Sequence, residues 1–241
     1  MKKTRTLILT AAIGLAAALS VQAQTLLFDF GNSSFPTGPN YNDILTSNGG
    51  TPNAIDSLGS LTGIALSSSG FNAGANGNGT LAPSGAAAIF ASSATRDSFF
   101  GHVAVFTGGT GPGGTSPLGI LSLTGLNPTA TYDFTFFGSR TGVADNRETK
   151  YEVVGLNTAF GLLNTANNTA NVAVVSGISP DAFGNLTVNV TKGPNNNNGS
   201  GFFYLGAMQI VAVPEPSSMT LATLGGFGVM LAGRRFRSSR S

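Results

Sequence analysis

The sequence predicts an all-β protein, a jelly-roll β-sandwich of about nine strands. Three observations carry the prediction. Short runs of β-type residues recur along the chain between clusters of Gly, Asn, Pro and Ser. Two of the runs alternate with period 2. In Tyr132-Asp-Phe-Thr-Phe136 the aromatics fall on one face and Asp133 and Thr135 on the other, and in Leu186-Thr-Val-Asn-Val190 aliphatics alternate with Thr187 and Asn189. Half-buried antiparallel strands have this pattern. Between residues 24 and 213 no helical periodicity of useful length appears, apart from a short helical turn expected in Asn53–Leu61.

The elements follow in order. Lys2, Lys3 and Arg5 precede an apolar stretch from Leu7 to Leu19 and the small-residue site Val21-Gln22-Ala23. This is a secretory signal peptide over residues 1–23, with an N-terminal signal helix and signal peptidase cutting between Ala23 and Gln24. The sandwich domain occupies residues 24–213. Its strands are expected near Thr25–Phe30, Ile64–Leu66, Ala86–Phe90, Gly119–Leu123, Thr131–Phe137, Lys150–Val154, Val172–Val175, Leu186–Val190 and Phe202–Val211. Leu123-Thr-Gly-Leu-Asn-Pro128 reads as a strand end entering a turn, with φ fixed by Pro128. Tyr132 then opens the next strand, placed for its hydroxyl to tie back to that turn as in a tyrosine corner. Asp181–Asn185 reads as a turn into the strand at Leu186. The glycine-rich segments 70–85 and 108–117, and the Asn-rich segment 194–201, read as flexible loops.

The final segment, residues 214–241, has three ordered parts. Pro214-Glu215-Pro216 comes first, then an apolar run from Met219 to Gly233, then Arg234, Arg235, Arg237 and Arg240. The run is shorter than the roughly 20 residues that span a bilayer comfortably. Its glycines at 225, 226, 228 and 233 disfavour a soluble helix and suit a membrane one. Arginines on one side fit a cytoplasmic stop. The segment is therefore expected to be a short transmembrane helix with a basic stop.

Charge narrows the function. The chain carries +2 formally. Seven of its twelve bases lie in the two end segments, leaving five bases against nine acids between residues 24 and 213. An acidic domain does not provide the clustered Lys and Arg that phosphate backbones require, so no nucleic-acid partner is expected. Charged residues make up 9% of the chain, against about 25% in ordinary globular proteins. Without cysteine, neither disulfides nor thiol chemistry contributes.

Catalytic signatures are sparse. His102 is the single histidine, between Phe99-Phe100-Gly101 and Val103-Ala104-Val105, and reads as structural. No Gly-x-Ser-x-Gly elbow or P-loop occurs, so the domain is expected not to be an enzyme. One charged island stands out. Arg140, Asp145, Arg147 and Glu148, followed by Tyr151, form a candidate ligand patch in which arginine forks grip hydroxyls or carboxylates. Structural ion pairing across a loop is the leading reading of the same residues, ahead of the patch, and a catalytic carboxylate pair comes last. Asp29, Asn32 and Asp43 are candidate oxygen ligands for Ca2+.

The tail, with Pro214-Glu215-Pro216, apolar run and arginines, resembles the PEP-CTERM sorting segment of exported bacterial proteins, whose family has also carried an ice-binding C-terminal label. The resemblance implies transient anchoring in the inner membrane through the C-terminal helix, cutting near the motif by an exosortase-type protease, and a final place at the cell surface or outside. Phe28-Asp-Phe-Gly31, Tyr132–Arg140, Asn146–Tyr151 and Gly201–Gly206 are also similar to galactose-binding-like sandwich modules. That likeness implies a jelly roll, often with structural calcium and sometimes a carbohydrate site. The function expected is thus a non-catalytic surface or matrix protein associated with exopolysaccharide. The alternatives are a structural or adhesive shell without a defined ligand, a divergent glycan-active enzyme, and ice binding, for which no regular Thr-x-Thr array is seen.

Overall fold

A computed structural model describes residues 24–213. The expected signal helix, the Ala23 side of the signal cleavage site, the Pro214-Glu215-Pro216 motif, the C-terminal helix and its arginine stop lie outside the described residues.

The described chain is all-β, with thirteen strands. A five-stranded sheet contains β1 (Thr25–Phe30), β2 (Asn42–Ile44), β7 (Thr131–Phe137), β10 (Ala173–Ile178) and β13 (Ala207–Val213), in the order β10-β7-β13-β1-β2. A six-stranded sheet contains β3 (Gly50–Thr51), β4 (Ala65–Ser69), β6 (Gly119–Thr124), β8 (Glu148–Val154), β9 (Thr158–Asn164) and β11 (Leu186–Lys192), in the order β3-β4-β6-β11-β8-β9. A two-stranded piece pairs β5 (Phe99–Gly101) with β12 (Phe203–Leu205). All pairings are antiparallel except β1 with β2, where Asp29 lies in register with Asp43.

Alternation builds the layers. Tyr132, Phe134 and Phe136 of β7 and Phe28 of β1 enter one core cluster with Leu121 and Leu123 of β6, Tyr151 and Val153 of β8, and Val188 and Val190 of β11. Burial of each such large apolar side chain contributes about 1.5–3 kcal/mol. The Phe136 ring stacks on Tyr151 at 4.7 Å and 5°, joining the two sheets. The outer face of the five-stranded sheet is covered in turn, because Phe137 and Ala207 pack beneath Ala87, Phe90 and Ala94.

That cover corrects one expected strand. Residues Gly85–Ile89 form a 3-10 helix instead. Gly85 has φ +51°, and the Ala87 N–H donates to both Ser84 O and Ala170 O. The small alanines bring the turn down onto the aromatic face, so packing overrides the apolar run. The strand expected over Phe202–Val211 divides at Gly206 into β12 and β13, which lie in different sheets. The Gly206 N–H donates to Phe137 O and its carbonyl accepts from Phe30 N–H. A Cβ there would sit 2.9 Å from Asp97 O, so glycine permits the crossing. The short helix expected in Asn53–Leu61 is instead a turn closed by an Ile55–Leu61 bridge, with Asp56 Oδ1 accepting the N–H groups of Leu58 and Ser60.

Two local expectations are met. The Asn127 N–H donates to Tyr132 Oη at 2.9 Å, forming the tyrosine corner. Asp181 Oδ1 accepts the N–H groups of Phe183 and Asn185, with Gly184 at φ +76°. At the start of β1 the Ala212 N–H donates to Gln24 O at 2.8 Å, so the residue expected to follow signal cleavage lies beside the end of β13.

Candidate functional site

The charged island assembles where the 140–147 loop enters β8 and meets β12. Arg147 is its centre. Its Nε donates to Asp145 Oδ1 at 3.0 Å, and a terminal nitrogen donates to Tyr204 Oη. The guanidinium carbon stands 5.4 Å from the Phe202 ring centroid and 5.9 Å from that of Tyr204, within cation–π range. Asp145 Oδ2 accepts from the Asn198 amide. Burial acts to raise the Asp145 carboxyl, but hydrogen bonds from Arg147 and Asn198 outweigh it and hold the group below its ordinary range. Burial pushes the Tyr204 phenol up, against the charges of Arg147 and Arg140. The Arg140 guanidinium donates to Thr141 O at 2.9 Å.

Glu148 and Tyr151 serve the framework. Glu148 is buried, and its Oε1 accepts the Asn195 N–H at 2.9 Å while Oε2 accepts the Asn195 amide at 3.1 Å. Tyr151 is fully buried, with its hydroxyl donating to Tyr204 O at 2.6 Å. Burial moves its ionisation far upward. The island therefore splits, with Arg140, Asp145 and Arg147 near the surface and Glu148 and Tyr151 beneath them.

The Asn-rich segment, read from sequence as a flexible loop, is tied into this site. Asn196 donates to Glu148 O and Phe202 O. Asn198 Oδ1 accepts from Ser200 and Phe202, and Asn197 Oδ1 accepts the Asn146 N–H at 2.7 Å. Each asparagine supplies both donor and acceptor groups, so an irregular loop is fixed without regular pairing.

Beside Arg147 lies an aromatic group that sequence reasoning did not assemble. Phe106 and Phe202 meet edge to face at 4.9 Å, and Phe100 stands 6.0 Å from Phe202. His102 is fully buried against Phe106 at 4.5 Å, with Nδ1 and Nε2 facing Ala104 O and Asn72 Oδ1, so its part is structural. Phe100, Phe106 and Phe202 are half-buried. The signal lay in Phe99-Phe-Gly-His102 and Gly201-Phe-Phe-Tyr204, which the β5–β12 pairing brings together, with Phe100 opposite Tyr204. Half-buried rings beside a guanidinium already held by Asp145 and Tyr204 offer stacking to a polar ring or hydroxyl-rich chain.

The expected calcium ligands separate. Asn32 turns its side chain to the Ser34 N–H at 2.9 Å, and its own main-chain N–H donates to Asp97 Oδ2 at 2.6 Å. Asp29 and Asp43 remain neighbours in register. Thr37 joins them, its hydroxyl donating to Asp29 Oδ2 at 2.5 Å and its N–H to Asp43 Oδ1 at 3.2 Å. Burial pushes the Asp29 carboxyl up to about 7, opposed by the Thr37 hydrogen bond and reinforced by the charges of Asp97 and Asp43. Among the described residues no three His, Cys, Asp or Glu side chains gather as a metal site, and no helix is long and apolar enough to cross a membrane.

No curated protein and no solved structure matches the chain, so the likeness to galactose-binding-like modules is supported by none. Residues 212–235 match the PEP-CTERM protein-sorting motif, beginning within β13 at Ala212. The match marks an exported protein carrying a C-terminal sorting tail that an exosortase processes.

Proposed function

We propose that the chain is a non-catalytic cell-surface or matrix protein whose sandwich associates with exopolysaccharide. After export, signal peptidase releases Gln24 and the tail holds the protein in the inner membrane through its helix until exosortase acts at Pro214-Glu215-Pro216. Arg234, Arg235, Arg237 and Arg240 form the stop. We also read the winding as a jelly roll, since from β6 to β13 the chain passes repeatedly between the two large sheets.

The observation that carries the carbohydrate reading is Arg147, held over the rings of Phe202 and Tyr204 beside Asp145 and the asparagine loop. Sugars present C–H faces to rings and hydroxyls to guanidinium and amide groups, and this surface offers both kinds of partner. A glycan array, together with the producing cell's own extracted polysaccharide, tests the reading. Binding by the purified protein that is lost in Arg147→Ala supports it. Undiminished binding in that variant removes the site from the proposal, and silence from the folded protein removes the carbohydrate.

A second reading, a structural shell protein without a ligand, draws on β9. This edge strand exposes Phe160 and Leu162 to solvent, and edge strands are ready templates for association. Self-assembly without added glycan is its mark.

A further inference from the structure

We propose that Asp29 and Asp97 hold a hard divalent cation, calcium by preference, where the end of β1 meets the segment before β5. Each residue is 1% exposed. Each has one carboxylate oxygen satisfied, Asp29 Oδ2 by the Thr37 hydroxyl and Asp97 Oδ2 by the Asn32 N–H. The other oxygen of each, Asp29 Oδ1 and Asp97 Oδ1, is buried with no hydrogen-bond partner. Buried ionised carboxylates are costly unless paired or metal-bound.

The surroundings deepen that need. Asp43 sits in register with Asp29 and its charge reaches both acids, though it does not gather with them as a third ligand. Arg96, whose charge reaches Asp97, lies 3.5 Å over the ring of Phe35 and forms no ion pair with these acids. The ion pairs among the described residues are Asp145–Arg147 and Lys150–Glu152, both elsewhere. A cation answers this arrangement directly.

The backbone is shaped around the carboxylate. A Cβ at Gly31 would lie 2.4 Å from Asp97 Oδ1, so glycine leaves the acid its place against the chain. Calcium takes six to eight oxygens. Two carboxylates leave the rest to water and neighbouring oxygens, which places the site among the weak extracellular class, with Kd of about 10⁻⁴–10⁻³ M. Such affinity suits a protein beyond the cytoplasm.

Terbium stands in for calcium and reports through tyrosine-sensitised emission. Tyr41, two residues before Asp43 in the chain, is the antenna. The experiment uses the full-length protein purified in detergent, titrated with terbium, then calcium, at neutral pH. Sensitised emission that millimolar calcium displaces, at least ~10-fold weaker terbium binding in Asp97→Asn, and a Tm rise of about 3–6 °C at tenfold calcium saturation are expected. If Asp97→Asn fails to fold, Asp43→Asn, at a half-buried position, is expected to weaken terbium binding in the same direction. Absence of both calcium-displaceable emission and a calcium-dependent Tm overturns the proposal. So does an Asp29→Asn protein that keeps the full calcium response, since a shared proton would then account for the buried pair.

Discussion

The main-chain N–H of Asn127 points at the hydroxyl of Tyr132 from 2.9 Å, locking the β6–β7 turn to the strand it precedes. Tyr132 is almost fully buried, so Tyr132→Phe keeps the packing and orphans the amide. A loss of about 1–2 kcal/mol is expected, seen in urea as a lower midpoint with unchanged slope.

The Phe136–Tyr151 stack joins the sheets at their centre. Phe136→Ala leaves a cavity between them, and a loss of about 3–5 kcal/mol is expected. Tyr151→Phe keeps the stack but removes the donor to Tyr204 O, costing about 1–3 kcal/mol. The ratio of the two losses, from equilibrium unfolding, separates packing from hydrogen bonding.

Glu148→Gln tests the loop. The Asn195 side-chain amide and main-chain N–H both donate to the carboxylate. Glutamine places its own donor against one of them. Faster proteolytic nicking within residues 194–201 is expected, with a stability loss of about 1–2 kcal/mol. Unchanged nicking would show that the asparagines hold the loop without Glu148.

Acid pH tests the Asp145–Arg147 pair. The folded Asp145 carboxyl lies below its ordinary value of 3.8. Its contribution is therefore complete above that value and is lost as pH falls through the lower folded one. Asp145→Asn is expected to lower Tm at pH 7 and to shrink the fall in Tm between pH 4 and more acid conditions. Solvent screening keeps the difference below about 1 kcal/mol.

Strands were legible where one face is buried and the other wet. The bounds of β1 and β7 follow from the sequence, because Leu26, Phe28 and Phe30, and then Tyr132, Phe134 and Phe136, alternate with more exposed residues or enter the core outright. The strands β2, β3 and β5 are two or three residues long, too short for a period to register. In β9 the alternation is inverted, with Phe160 and Leu162 exposed, so apolarity there does not report burial. Of the candidate site, Arg147 with Asp145 was legible as local charge. Tyr204, Phe202 and Phe106 were not, because chain separation of about forty residues or more carries no pattern until β5 and β12 pair. Asp97 entered the acidic pair from 65 residues beyond Asn32 for the same reason.

The hydrogen bond from Ala212 to Gln24 has a consequence for presentation. Strands β1 and β13 run antiparallel, so the domain is entered and left at one pole. Tyr204, by contrast, lies just before β13 begins, at the other pole. Seven residues of β13 separate the two, roughly 20 Å at strand rise. Both ends of the described chain therefore lie about one strand length from the Arg147 surface.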